Sequence, residues 1–458
     1  MANPPFIPSD IGNAERLIAR HGAQLRYVAK WKSWLVWTGT HWERDECGTV
    51  ERACKDTLRA LAHEALDLED KAQRAVMLKH ALASESNSRV RGMIERARAE
   101  PGVSVRHDIW DQHPWLLNCG NGTLDLRTGH LRPADPKDHL TKRTPVPFDP
   151  EAPCPRWEQF LLDVFGGRPD LVSYIQRAVG YSLTGDTSEQ CLQLLHGSGS
   201  NGKSTFLEVM QALFGDYGIQ ADFTTFLETK SGADGPRNDI AKLAGARMVR
   251  SSEVGEGKRF NESLVKTLTG SETVSARFLY SEHFEFVPTF KLWLAANHKP
   301  TIRGQDHAIW RRVRLVPFDV QFSGERRDPT MKDKLLAELP GILAWAVAGA
   351  LLWQRDGLNP PEDVRAATDE YRRDSDVIGA FLEDCCETGG GLEVAATELY
   401  QAYKRWAKES GEFELSQTSF GRRLEERGFG VRKSGVKYRI GLRLQPVVQH
   451  SRPSWLDR

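Results

Sequence analysis

Paired cysteines are the first thing missing from this sequence. Its seven cysteines, Cys47, Cys54, Cys119, Cys154, Cys191, Cys385 and Cys386, are odd in number and scattered, without the CxxC spacing of a structural zinc site. That excludes a small disulfide-stapled fold and points to a reducing, cytoplasmic setting. Net charge is missing too, with 62 Lys and Arg against 62 Asp and Glu. A uniformly basic protein drawn to a polyanion is therefore excluded, whereas local basic surfaces are not, because equal totals can be segregated between faces. Long apolar runs are also absent. The most apolar stretch, Leu335 to Trp353, is interrupted by Glu338, Pro340 and Gly341, leaving less than the roughly 20 residues a bilayer demands. It reads as a buried core helix. The N-terminus, MANPPFIPSDIGNAERL, lacks the charged and apolar regions of a signal peptide. The expectation is a soluble protein without a membrane partner.

What is present is the composition of an ordinary globular chain: 458 residues, 40% hydrophobic and 27% charged, enough for about two to four domains. Proline clusters at 145–155 and 357–361 divide it into expected units 1–150, 151–357 and 358–458. The first unit opens on an aromatic segment, Tyr27 to Trp42, whose alternation around Thr38-Gly-Thr40 predicts a β-hairpin with its tryptophans packed in a small sheet. Charged amphipathic helices are expected over 50–100, then two short strands in the Gly- and Asn-punctuated stretch 117–131. Helical pattern resumes from Trp157 to about Thr184, before an apolar strand, Cys191 to Leu195.

That strand leads into Gly197-Ser198-Gly199-Ser200-Asn201-Gly202-Lys203-Ser204-Thr205, which fits G-x-x-x-x-G-K-[ST] and precedes a helical run. Glycines there let successive N–H groups converge on phosphates, and the helix start adds its positive dipole end. Lys203 is expected to bridge the β and γ phosphates of ATP and Ser204 to bind Mg²⁺. Two further strand ends follow about 45 to 50 residues apart, as crossover helices between parallel strands require. Arg247 to Glu253 ends in an acid suited to metal or water, and Phe290 to Asn297 ends in an amide suited to sensing the γ-phosphate. Arg311, Arg312 and Arg314 then stand in a short apolar setting, where delivery of a guanidinium to an adjacent subunit's phosphate is one reason for charge.

The run from Trp157 to Phe318 resembles superfamily 3 helicases, in the branch of phage and plasmid primase-helicases related to the poxvirus primase-helicase. Linked motifs carry the resemblance: GSGSNGKST, RMVRSSE, Asn261 to Gly270 with Lys266, Ser275 to Tyr280, KLWLAANHKP and IWRRVRLVPF. The resemblance implies an α/β fold with a P-loop AAA+-like ATPase core, a mixed α+β N-terminal region and a C-terminal winged-helix domain. It also implies a homo-oligomeric ring, expected as a hexamer, that hydrolyses ATP with Mg²⁺ and moves 3′ to 5′ on single-stranded DNA at a replication fork. Lys203 and Ser204 carry over as phosphate and metal ligands, Glu253 as the Walker B acid and second metal ligand, and Asn297 as sensor. Arg312 is the first choice of arginine finger and Arg311 the second. Ser252 stands where relatives often have a second acid, so Glu256 is an alternative helper. No carboxylate cluster for nucleotidyl transfer precedes residue 150, so primer synthesis is not expected and a separate primase or polymerase would be a partner.

The family's channel hairpin falls on 274–288, making Arg277 and Tyr280 candidate DNA contacts, with His283 and Lys266 behind them. In the last unit, Ser416 caps a helix carrying Arg422 and Arg423, and 431–440 reads as a strand-turn-strand wing with Arg432, Lys433 and Lys437. Bases outnumber acids from Leu399 to Arg443, which suits phosphate contact. A nucleotide-binding initiator or loader that does not unwind processively is the competing expectation. A small-molecule kinase is disfavoured, since no acceptor site or lid is visible.

Overall fold

The computed structural model describes residues 7–228, 237–252, 258–278, 283–302, 307–410, 412 and 414–445. Alternation in the aromatic stretch produces the expected hairpin, Ser33–Trp37 against Trp42–Arg44, and Leu25–Val28 and Ser104–Val105 complete a four-stranded sheet. Trp42 is fully buried between Trp37 and Trp110. Trp34 and Val36 pack on Val50, Cys54 and Leu58 of the helix Thr49–Leu66. The helix Lys71–Ser84 lies outside, burying only Ala81 and Ser84. The stretch after Leu116 makes three antiparallel strands, one more than expected: Leu116–Cys119, Gly122–Asp125 and His130–Arg132. Residues 141–154 carry neither helix nor strand, as their prolines dictate.

The helical pattern expected as one run is two helices, Pro155–Val164 and α1 (Pro169–Leu183), parted at Gly166-Gly167. Beyond them lies a parallel sheet of β1 (Leu192–His196), β2 (Gly218–Gln220), β3 (Met248–Ser252), β4 (Lys291–Ala296) and β5 (Val313–Pro317), in the order β5-β1-β4-β3-β2. The strands β1, β4 and β5 are largely buried on both sides because both faces of the sheet are covered. Leu195, Trp293, Ala295 and Val316 enter one core, with α1, α2 (Lys203–Phe214) and α3 (Leu339–Asp356). Leu194, Leu292, Leu294 and Leu315 enter the other. α3 is the expected core helix. Pro340 sits in its first turn, where a missing N–H breaks no bond. Among the described residues no helix is long and apolar enough to cross a membrane.

The C-terminal part has its own core of Phe381, Leu399, Tyr403, Phe420, Leu424 and Leu442. Its helices are Val377–Cys385, Ala396–Glu409 and Gln417–Glu426, the last capped by Ser416, whose hydroxyl accepts from Ser419 N. Val431–Ser434 and Val436–Leu444 form the expected ribbon. A third strand, Cys386–Ala395, pairs with its long member and was not foreseen.

Candidate functional site

Parallel strands bring their C-terminal ends to one edge, and the site is built there. Register aligns Ser252 with Ala295 and Ala295 with Leu195, so the glycine-rich loop after β1, the end of β3 and Asn297 after β4 are neighbours. Gly199 to Thr205, Ser252 and Asn297 line one cavity of about 510 Å³. Glu253 and Glu256 lie outside the described residues, as does Tyr280.

The loop shapes itself around its lysine. Gly202 has φ +87 and caps α2, a conformation that a side chain disfavours. Lys203 Nζ donates to Gly197 O at 2.7 Å and to Asn201 Oδ1 at 2.9 Å, while Asn201 Nδ2 donates to Phe318 O at 3.0 Å. Lys203 is 6% exposed, and burial pushes its ammonium down to about 8. Among the described residues no carboxylate pairs with it. A buried ammonium held only by neutral oxygens, at the start of a helix, is a site for an anion. Ser204 faces the cavity beside it, while Ser198 accepts from Gln321 Nε2 at 2.6 Å and Gly197 lies behind the lysine.

Arg311 and Arg312 are elsewhere. They precede β5, and Arg312 O accepts from Leu192 N at 2.8 Å, so they stand at the opposite end of the sheet, about 16 Å along β1 from the loop at 3.3 Å per residue. Arg312 is 8% exposed, donating from Nε to Thr269 Oγ1 at 3.1 Å and from Nη1 to Ala308 O at 2.6 Å. It ties its own chain together, which is at odds with reaching into a neighbour. Arg311 is exposed and donates to Gln190 Oε1 at 2.9 Å.

Val274–Ala276 pairs with Phe284–Phe286, with Arg277 half-buried and His283 exposed beside the ribbon. Phe278 is exposed and stacks on Phe284. Lys266 is half-buried on the helix Glu262–Leu268. In the C-terminal part, Arg422 is exposed near Glu426 and Arg423 half-buried. Arg432 is held bidentately by Glu393, removing it as a free cation. Lys433 and Lys437 are exposed directly opposite each other, a like-charge pair that costs stability without an anion.

Several cavity residues escaped the sequence reading: Phe160, Phe322, Arg326, Arg327, Met331 and Lys332. The only sequence signal was the Arg326-Arg327 pair just after the last apolar strand.

The chain is similar to known proteins over several of its segments. Residues 14–166 match the family described as D5 N terminal like, 373–434 match Poxvirus D5 protein-like, and 195–312 match a family of unknown function. "Putative helicase L207/L206" of Acanthamoeba polyphaga mimivirus is 28% identical over 325 residues, 65% of this chain and 33% of that protein. "Putative helicase 022R" of Frog virus 3 is 24% identical over 382 residues, 65% of this chain and 39% of that one. A "Putative primase" of African swine fever virus is 26% identical over 331 residues, 65% and 33%. The matches span about a third of the length of these curated relatives. The apo NrS-1 C-terminal region superposes with a TM-score of 0.53 at 10% identity, covering 94% of this chain and 98% of that one, a likeness of fold alone.

Proposed function

Since the chain belongs to the viral D5-like primase-helicase family, we propose that it is a replicative DNA helicase module driven by ATP. The observation that carries this reading is the buried Lys203 inside a glycine-rich loop, at the strand-end edge of a parallel sheet and open to a ligand-sized cavity. ATP with Mg²⁺, when bound, would supply the free energy of phosphoanhydride hydrolysis. Lys203 and the loop N–H groups neutralise phosphate charge. Ser204 offers a hydroxyl to the metal. Among the described residues no cluster of three His, Cys, Asp or Glu could hold a metal alone, so phosphate oxygens and water would complete its shell. Asn297 orients the terminal phosphate, and Glu253 is assigned to the metal and the attacking water.

In this reading the domain from 151 to 357 is a P-loop AAA+-like core within a hexameric ring, and 358–458 carries a winged helix. Arg311 replaces Arg312 as the residue offered to the neighbouring subunit's nucleotide, because it alone of the two is exposed. Arg277 and Tyr280 contact single-stranded DNA in the channel, with Lys266 behind them. Arg422, Arg423, Lys433 and Lys437 contact fork DNA. Translocation runs 3′ to 5′, and primer synthesis belongs to a separate protein or region.

The test is ATP hydrolysis with and without single-stranded DNA, together with strand displacement on a 3′-tailed duplex. DNA-stimulated hydrolysis and displacement, both lost in Lys203→Ala, are expected. Hydrolysis without stimulation or displacement would leave the loader reading in its place. Images with a non-hydrolysable ATP analogue would count the subunits.

A further inference from the structure

The chain leaving β5 does not depart from the glycine-rich loop but turns back across it. Besides the Asn201 bond to Phe318 O, Phe322 N donates to Ser200 O at 2.7 Å and Gln321 Nε2 donates to Ser198 Oγ at 2.6 Å. Three residues of the loop, Ser198, Ser200 and Asn201, are thus tied to a strap, residues 318–332, which forms a second wall of the same cavity.

Positive charge outnumbers negative around the cavity. Lys203, Arg326, Arg327 and Lys332 line the cavity against Asp163 and Asp328. Both the lysine of the strap and its acid are already satisfied: Lys332 pairs with Glu208 at 2.8 Å and Asp328 with Lys334 at 2.6 Å. Arg326 lies 5.7 Å above the Phe322 ring, and both arginines are exposed. Among the described residues no carboxylate pairs with Arg326 or Arg327. Two adjacent guanidinium groups repel each other unless an anion lies between or beside them. Apolar surface is offered next to them by Phe322 and Met331, matching a ligand that is anionic at one end and flat and apolar at the other.

We propose that the strap is part of the binding site for a nucleoside triphosphate, supplied by the same subunit as Lys203. Arg326 and Arg327 take phosphate charge from the strap side, and Phe322, backed by Met331, meets the base. This rests on the nucleotide reading of the site and adds to it a second set of cations that the glycine-rich motif does not contain.

Calorimetric titration of the full chain with MgATP and with MgADP tests it, with thermal unfolding in the absence of nucleotide as the folding control. The double variant Arg326→Gln/Arg327→Gln should unfold at the wild-type temperature and bind MgATP at least about tenfold more weakly, the worth of one charge-assisted bond. Phe322→Leu, which keeps an apolar side chain but no ring, should weaken MgATP and MgADP to the same degree. Wild-type affinity for MgATP in both variants would overturn the strap's role while leaving the nucleotide site intact. A wild-type chain that bound neither nucleotide would overturn the underlying reading instead.

Discussion

Arg311 and Arg312 share a residue type and differ in everything the surroundings decide. Arg312 sits under the sheet end with its Nε on Thr269 Oγ1. Its replacement by alanine leaves a buried hydroxyl and carbonyl short of donors, and unfolding by urea should show a loss of about 2–4 kcal/mol. Arg311→Ala should unfold like the parent yet lose hydrolysis in the assembled protein. The opposite pattern would return the cross-subunit role to Arg312. Lys291 gives a pH signature. It is buried, donates to Thr184 O at 2.6 Å and lies 4.4 Å from the Tyr181 ring centre, and burial holds its ammonium well below the ordinary 10.5. Between that lowered value and 10.5 the unfolded chain binds more protons than the folded one, so this residue's contribution to stability rises with pH across the window. Lys291→Met should flatten that rise when unfolding free energies are compared from neutral to pH 10. At this scale, Lys203 was legible because its spacing from the glycines is a local rule. Which of two adjacent arginines is buried, and that Arg326 and Arg327 return to the loop, depend on tertiary contacts that no local spacing encodes.

Elements read well where period and punctuation agreed. The hairpin at Thr38-Gly-Thr40, the Ser416 cap and the 431–440 ribbon are all short-range patterns that the fold keeps. Cys386–Ala395 was missed because Gly389-Gly390-Gly391 removes the alternation that marks a strand and its register shifts there. Two helices depend on glycine for another reason. A Cβ at Gly180 of α1 would lie 2.0 Å from Ala350 N of α3, and one at Gly349 of α3 would lie 2.1 Å from Gln176 O. The backbones touch, and Gln176 Nε2 donates to Trp345 O across the same contact. Gly180→Ala must push the helices apart, and the denaturation midpoint should report a cost of at least about 2 kcal/mol despite alanine's better helix propensity. An unchanged midpoint would mean that α1 and α3 do not pack so closely.

For the whole molecule, neutrality describes the sum and hides its parts. Glutamates neutralise Arg432, Arg439 and Arg443 in the C-terminal sheet, while Lys433 and Lys437 stand opposed and exposed. If these two touch DNA phosphates, replacing both by alanine should weaken binding for all sequences alike. It should also flatten the dependence of log affinity on log salt by about two. A slope equal to the parent's would remove the ribbon from the DNA interface.

The parallel sheet puts Lys203 at one of its ends and Arg311 at the other. In the proposed ring an interface that joins them is head-to-tail, which would make each subunit a donor on one face and a receiver on the other. Two inactive proteins can then repair each other. An Arg311→Ala subunit keeps an intact nucleotide site, and a Lys203→Ala subunit keeps an intact arginine to lend it. Mixing the two before assembly should restore hydrolysis that neither shows alone, to an extent set by how often they fall side by side. No recovery, with mixed rings verified by mass, would place both groups in the service of a single subunit.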